Sequence, residues 1–69
     1  MKRQWVIYER KTRQIVSRIY WRRRRMKRDL SDLNDYCGWK KYAVLMMKLN
    51  ADGKVVSRYP KIKLQELSL

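Results

Sequence analysis

The chain has 69 residues, of which 19 are Lys or Arg and 6 are Asp or Glu, so its formal net charge is +13. With no His and a single Cys, it lacks the ligands of a structural zinc site, the usual nucleophile and base pairs, and an internal disulfide. We therefore predict one small basic domain over residues 1–69 that is not an enzyme and needs no metal or cofactor. No apolar run approaches the ~20 residues of a membrane span, so we expect a soluble protein of the cytoplasm, or of the nucleus in a eukaryotic host, without membrane attachment.

The amino-terminal third of the sequence favours a β-hairpin. Residues 4–8 are a run of β-branched and aromatic side chains, and residues 15–21 are a second such run after a polar stretch. In the second run, both faces of a strand would mix apolar with polar side chains, so its pattern is the weaker of the two.

The middle of the chain has helical spacing. Over residues 29–37, Leu30, Leu33 and Cys37 fall on one stripe. Asp29 or Ser31 could cap the start of this helix, and Gly38 is placed to terminate it. The preceding basic residues are good helix formers, so they could extend it towards the amino terminus.

The carboxyl-terminal half predicts a second hairpin. Residues 42–49 alternate so that Ala43, Leu45, Met47 and Leu49 share one face, and the Asp-Gly pair within residues 50–53 is typical of a tight turn. Residues 54–59 then return as the partner strand. Because Pro60 removes a ladder donor, the residues after it are expected to form an edge or a separate short segment.

Together these patterns predict an α+β fold with two β-hairpins around a short central helix, in the order ββαββ. The alternative is a long central basic helix over about residues 12–36, packed on the carboxyl-terminal hairpin, because Ile15, Ile19 and Met26 continue the helical spacing. Arg22 interrupts that stripe with a cation, which weighs against it. A core this small is marginal, so a homodimer is also expected.

The densest charge lies between residues 22 and 28, where six of seven side chains are cationic. Because such a run repels itself, it predicts a polyanionic partner, and Arg in particular can grip phosphate with two donors. Nearby aromatic rings could stack on bases. The predicted nucleic-acid-binding residues are Arg18, Tyr20, Trp21, Arg22, Arg23, Arg24, Arg25, Lys27, Arg28, Arg58 and Tyr59.

The sequence leaves the form of the ligand open. Aromatic and Arg side chains on a sheet would suit single-stranded RNA or DNA, whereas an arginine-rich helix would suit a groove of a duplex. A second hypothesis is a small accessory or inhibitor protein, of the kind that phages, viruses or plasmids encode, docking on an acidic protein or a nucleoprotein complex. Asp29, Asp32 and Asp35 are interpreted as helix-stabilising, and Cys37 as a small buried hydrophobe.

Overall fold

The computed structural model describes residues 2–64, which form three strands and one helix. The elements are β1 (Lys2–Glu9), α1 (Arg23–Cys37), β2 (Tyr42–Leu49) and β3 (Val55–Tyr59). The strands form one antiparallel sheet in the order β1-β2-β3, with β2 at the centre. The domain therefore has the α+β class that the sequence predicts. Within residues 2–64, no helix has the length and apolar character that crossing a bilayer requires.

The predicted first hairpin is only partly formed, and the ββαββ order is not confirmed. Residues 15–21 run along β1 but meet it only at two isolated bridges, which join Tyr8 to Ile15 and Trp5 to Tyr20. Between the bridges, the Ile7 amide donates to the Ser17 Oγ at 2.8 Å instead of to a backbone carbonyl. Because a side chain takes the place of a ladder partner there, this segment is irregular.

The long-helix alternative is wrong, because α1 begins only at Arg23. Arg22 precedes it in an extended conformation, with φ −119° and ψ 123°. The helix therefore includes most of the basic run, and neither Asp29 nor Ser31 caps its start. At the other end, Gly38 has φ 75° and its amide donates to the carbonyls of Asn34 and Asp35, so the predicted glycine stop is confirmed.

The carboxyl-terminal hairpin is confirmed, with β2 and β3 joined by the predicted turn. The Asn50 Oδ1 accepts hydrogen bonds from the amides of Asp52 at 3.0 Å and Lys54 at 2.9 Å. Gly53 has φ 79°, a conformation that a residue with a side chain adopts only with strain. After Pro60, residues 61–64 form no strand and cross the sheet instead.

The β1–β2 pair is covered on both faces. On the helix-side face, Ile7 and Tyr20 pack against Met26 of α1. On the opposite face, which we call the tail-side face, Ile62 and Leu64 pack against a cluster of three buried residues. That cluster consists of Val6, Tyr8 and Leu45.

β3 is the uncovered edge of the sheet. All five of its residues are exposed. The helix packs against β1 and β2 and stands clear of β3, so a groove remains between α1 and this strand. The uncovered edge thus forms one wall of a candidate binding site.

We expect Ile7→Ala to lower the free energy of unfolding by about 2–5 kcal/mol, because Ile7 is fully buried between the sheet and α1. Urea denaturation followed by circular dichroism measures the loss. Val56→Ala is the control, since Val56 is 53% exposed on β3, and it should change stability by no more than about 0.5 kcal/mol. Equal losses in the two variants would contradict this account of the core.

Candidate nucleic-acid interface

The start of α1 is unusual in its charge. Its first turn contains Arg23, Arg24 and Arg25 and no acidic residue, and the side chain of Arg22 makes no capping hydrogen bond. The amino terminus of a helix is the positive end of the helix dipole, and its first amides have no partner within the helix. Cations are therefore concentrated where they cost the helix stability and where an anion would be bound best.

Helical geometry divides the basic run between two surfaces, because successive residues are rotated by about 100° around the axis. Arg23 and Lys27, four residues apart, lie on the flank of α1 that faces β3. The remaining cations of the run line the outer surface of the helix start. We call these residues the outer arginine group; they are Arg22, Arg24, Arg25 and Arg28.

Among the described residues, 2–64, the outer arginine group has carboxylates nearby but forms no ion pair with them. Asp29 and Asp32 border the same open depression, which has a volume of about 640 Å³. Within residues 2–64, however, the one ion pair joins Lys41 to Glu9, with 3.7 Å between Nζ and Oε2. The guanidinium groups of the outer arginine group therefore keep their donors available for a ligand.

A second basic surface lies between α1 and the edge of the sheet, and we call it the basic groove. Its volume is about 440 Å³, within the range of about 300–1,000 Å³ typical of ligand sites. None of the carboxylates in the described part of the chain lines it. The side chains that distinguish it are Arg3, Trp5, Arg23, Lys27, Met46 and Tyr59.

The floor of the basic groove is a row of side chains across all three strands. Trp5 of β1 lies opposite Met46 of β2, which in turn lies opposite Tyr59 of β3. Residues opposite one another in an antiparallel sheet share a face, so the three side chains form one continuous surface. Tyr59 is 72% exposed, which leaves much of its ring open to a ligand.

Burial removes Tyr20 from the predicted set of stacking residues. It is 7% exposed and packs with Ile7 and Met26 in the core. Its hydroxyl donates to the Asp29 Oδ2 at 2.6 Å, which ties the segment before α1 to the helix. Arg18 lies over the ring, with 5.6 Å between its guanidinium carbon and the ring centroid. Tyr20 therefore positions the helix and cannot offer a face to a base.

The other predicted residues are exposed but do not form one surface. Trp21 lies just before the outer arginine group. Arg58 pairs with Met47 and so faces the tail side of the sheet, where Lys61 and Lys63 border the same depression. Tyr59, one residue later, faces the helix side. The alternation of the strand thus separates Arg58 from Tyr59.

Of the six side chains that distinguish the basic groove, three are not among the residues predicted from the sequence: Arg3, Trp5 and Met46. The alternation of β1 does put Trp5 on the same face as Ile7, and this signal was present in the sequence. What the sequence lacked was the pairing of β1 with β2, which brings Trp5 beside Met46 and Tyr59.

The described residues contain no group of three or more His, Cys, Asp or Glu side chains that could hold a metal ion. No protein-family model, curated protein or solved structure gives a significant match to this chain. The case for its function therefore depends on the geometry and charge of its own residues.

Tyr20→Phe tests the tie between Tyr20 and Asp29. Removal of the hydroxyl takes a hydrogen bond from a carboxylate, so we expect a loss of about 1–3 kcal/mol in the free energy of unfolding near pH 7. Burial raises the pKa of Tyr20, and the hydrogen bond to Asp29 and its charge act in the same direction.

A pKa that is raised on folding contributes stability below the pKa of the unfolded chain, about 10 for Tyr, and that stability is lost as pH rises through the pKa of the folded state. Wild-type protein should therefore lose stability above about pH 10, and Tyr20→Phe should lose less. Denaturation at a series of alkaline pH values measures, for each protein, how steeply the free energy of unfolding falls as pH rises. An equally steep fall in the two proteins would contradict the contribution of Tyr20 to this pH dependence.

Proposed function

We propose that the protein binds nucleic acid and contacts its phosphate backbone through the arginines at the start of α1. The observation that carries this proposal is the first turn of the helix, whose amides have no partner within the helix and which contains three consecutive arginines and no acid. Backbone amides and guanidinium groups there can donate to the same anion. A phosphate would convert an unfavourable arrangement of charges into a favourable one.

The charge of the whole chain supports the same conclusion. The net charge is +13, and within the described part of the chain one cation, Lys41, is paired with a carboxylate. Unpaired cations on a small domain attract a polyanion at long range and release its counterions on binding. Affinity should therefore fall steeply as salt concentration rises.

The outer arginine group would recognise the phosphate backbone of the nucleic acid and not its bases. Contacts to phosphate fix the position of a protein on nucleic acid but carry no sequence information directly. The depression of the outer arginine group is lined by charged side chains around a helix end, and none of the described residues that line it is an aromatic ring on which a base could stack. We therefore propose weak sequence specificity at this surface.

A second candidate function is docking on an acidic protein or a nucleoprotein complex, as an accessory or inhibitor protein would do. The exposed apolar side chains of Val16, Ile19 and Trp21, just before α1, favour this candidate. Exposed apolar groups near one another often mark a protein contact. Binding through them would persist at high salt, whereas binding through arginines to phosphate would not.

The test compares two double variants that remove the same charge. Arg24→Ala/Arg25→Ala acts on the outer arginine group, and Arg10→Ala/Lys11→Ala acts on the exposed turn after β1. Fluorescence anisotropy with labelled RNA and DNA across a salt series gives affinity and its salt dependence. The first variant should lower the slope of log affinity against log salt by roughly 0.7–0.9 for each lost contact, and the control should lower it less.

If the two double variants lower the salt slope equally, binding depends only on the net charge of the protein, and the proposed surface is contradicted. Failure of wild-type protein to bind any nucleic acid in a salt-dependent way would overturn the proposed function and favour the protein-docking candidate. Size-exclusion chromatography on the same samples tests the expected homodimer.

Arg24→Glu separates stability from binding. An acidic residue in the first turn complements the helix dipole, so we expect it to raise the free energy of unfolding by about 0.3–1 kcal/mol. The same substitution should weaken binding to nucleic acid, because it repels phosphate where the wild-type protein attracts it. Thermal denaturation and anisotropy measure the two effects. A variant that is less stable, or that binds as well as wild type, would contradict the interpretation of the helix start.

A further inference from the structure

The basic groove has features that binding to phosphate alone does not require. Its floor contains two aromatic rings, Trp5 and Tyr59, at the two ends of one cross-strand row, with Met46 between them. Tyr59 is 72% exposed and lies on the uncovered strand β3, so most of its ring is outside the core. A large ring left in water at the edge of a sheet is available for stacking.

The charges around this floor are all of one sign. Arg3 enters from β1, and Arg23 and Lys27 enter from α1, so cations flank the aromatic row on two sides. No acid among residues 2–64 lines the groove, in contrast to the depression of the outer arginine group, which Asp29 and Asp32 border. The combination of aromatic floor and cationic rim complements a nucleotide, which has a flat apolar base and an anionic phosphate.

We propose that the basic groove binds single-stranded nucleic acid, with one base stacked on Tyr59 and the phosphates on either side held by Arg3, Arg23 and Lys27. This inference rests on the proposed function and assigns the form of the ligand. In a duplex, the faces of the bases are already stacked on their neighbours, so a duplex could reach the rim but not the floor. A single strand can turn a base outwards.

The two basic surfaces then have different tasks. The outer arginine group holds the phosphates of any nucleic acid, and the basic groove favours a strand whose bases are free. Arg23 and Lys27 lie on the flank of α1 next to the outer arginine group, so a single strand that leaves the groove passes directly onto it. A duplex contacts the outer arginine group and can reach the rim of the groove but not its floor, so its affinity is independent of Tyr59.

The experiment compares Tyr59→Ala with a matched control, Tyr36→Ala. Tyr36 is 91% exposed on α1 and lies outside the basic groove, so each variant removes an exposed tyrosine without opening the core. The probes are labelled oligouridine and oligothymidine of about 12 nucleotides, within the usual range of site sizes, and a DNA duplex of the same length. Circular dichroism verifies the fold of each variant.

We expect Tyr59→Ala to weaken binding of a single strand on the order of tenfold to a hundredfold and to leave duplex affinity unchanged. Tyr36→Ala should change neither, and Tyr59→Phe should retain single-strand affinity because it keeps the ring. Oligouridine represents RNA and oligothymidine represents DNA. The one that loses more affinity in Tyr59→Ala is the form of single strand that the groove prefers.

The inference is overturned if Tyr59→Ala and Tyr36→Ala have equal effects, or if Tyr59→Ala weakens single strands and duplex alike. In either case, salt-dependent binding by the wild-type protein would leave the proposed function in place. Failure of the wild-type protein to bind any of the three probes would overturn both proposals together.

Discussion

The β1–β2 pair has apolar side chains on both of its faces, and the need to bury them determines the rest of the structure. Val6, Ile7 and Tyr8 are consecutive and all buried, so they point alternately to the two faces of the sheet. One helix covers the first face, and the short segment ending in Ile62 and Leu64 covers the second. Because a single helix cannot also cover β3, the edge of the sheet stays open and the basic groove exists.

The same burial requirement sends every cation outwards. Among the described residues no charged side chain is buried, and the cations are spread over surfaces that offer few carboxylates. Most of the chain obeys the ordinary rules of local structure, as the Gly38 stop and the Asn50 turn show. The start of α1 breaks them, since cations occupy the positions that acids usually hold. Local departures of this kind are expected at functional sites, where binding outweighs the lost stability.

The parts of the fold that could be predicted from the sequence are those that depend on neighbours along the chain. The carboxyl-terminal hairpin is such a part, because its turn residues and strand alternation lie within residues 42–59. The irregular course of residues 15–21 was not predictable, since it depends on one hydrogen bond from the Ile7 amide to Ser17. In the candidate site, the arginine run and Tyr59 are residues that the sequence predicts, whereas Trp5 lies beside Met46 and Tyr59 only because of long-range strand pairing. Tyr20 was misassigned because its neighbours are basic but its ring fills the core.

The pairing of β1 with β2 also sets an order of events during synthesis. Glu9 pairs with Tyr42 and Lys2 with Leu49, so β1 leaves the ribosome well before the strand that will cover its inner edge. Until then, a stretch of aromatic and β-branched residues is exposed to other nascent chains. Cations flank that stretch on both sides, with Lys2 and Arg3 before it and Arg10, Lys11 and Arg13 after it. Charges in these places act as gatekeepers against aggregation, so the basic composition also protects the chain while its fold is incomplete.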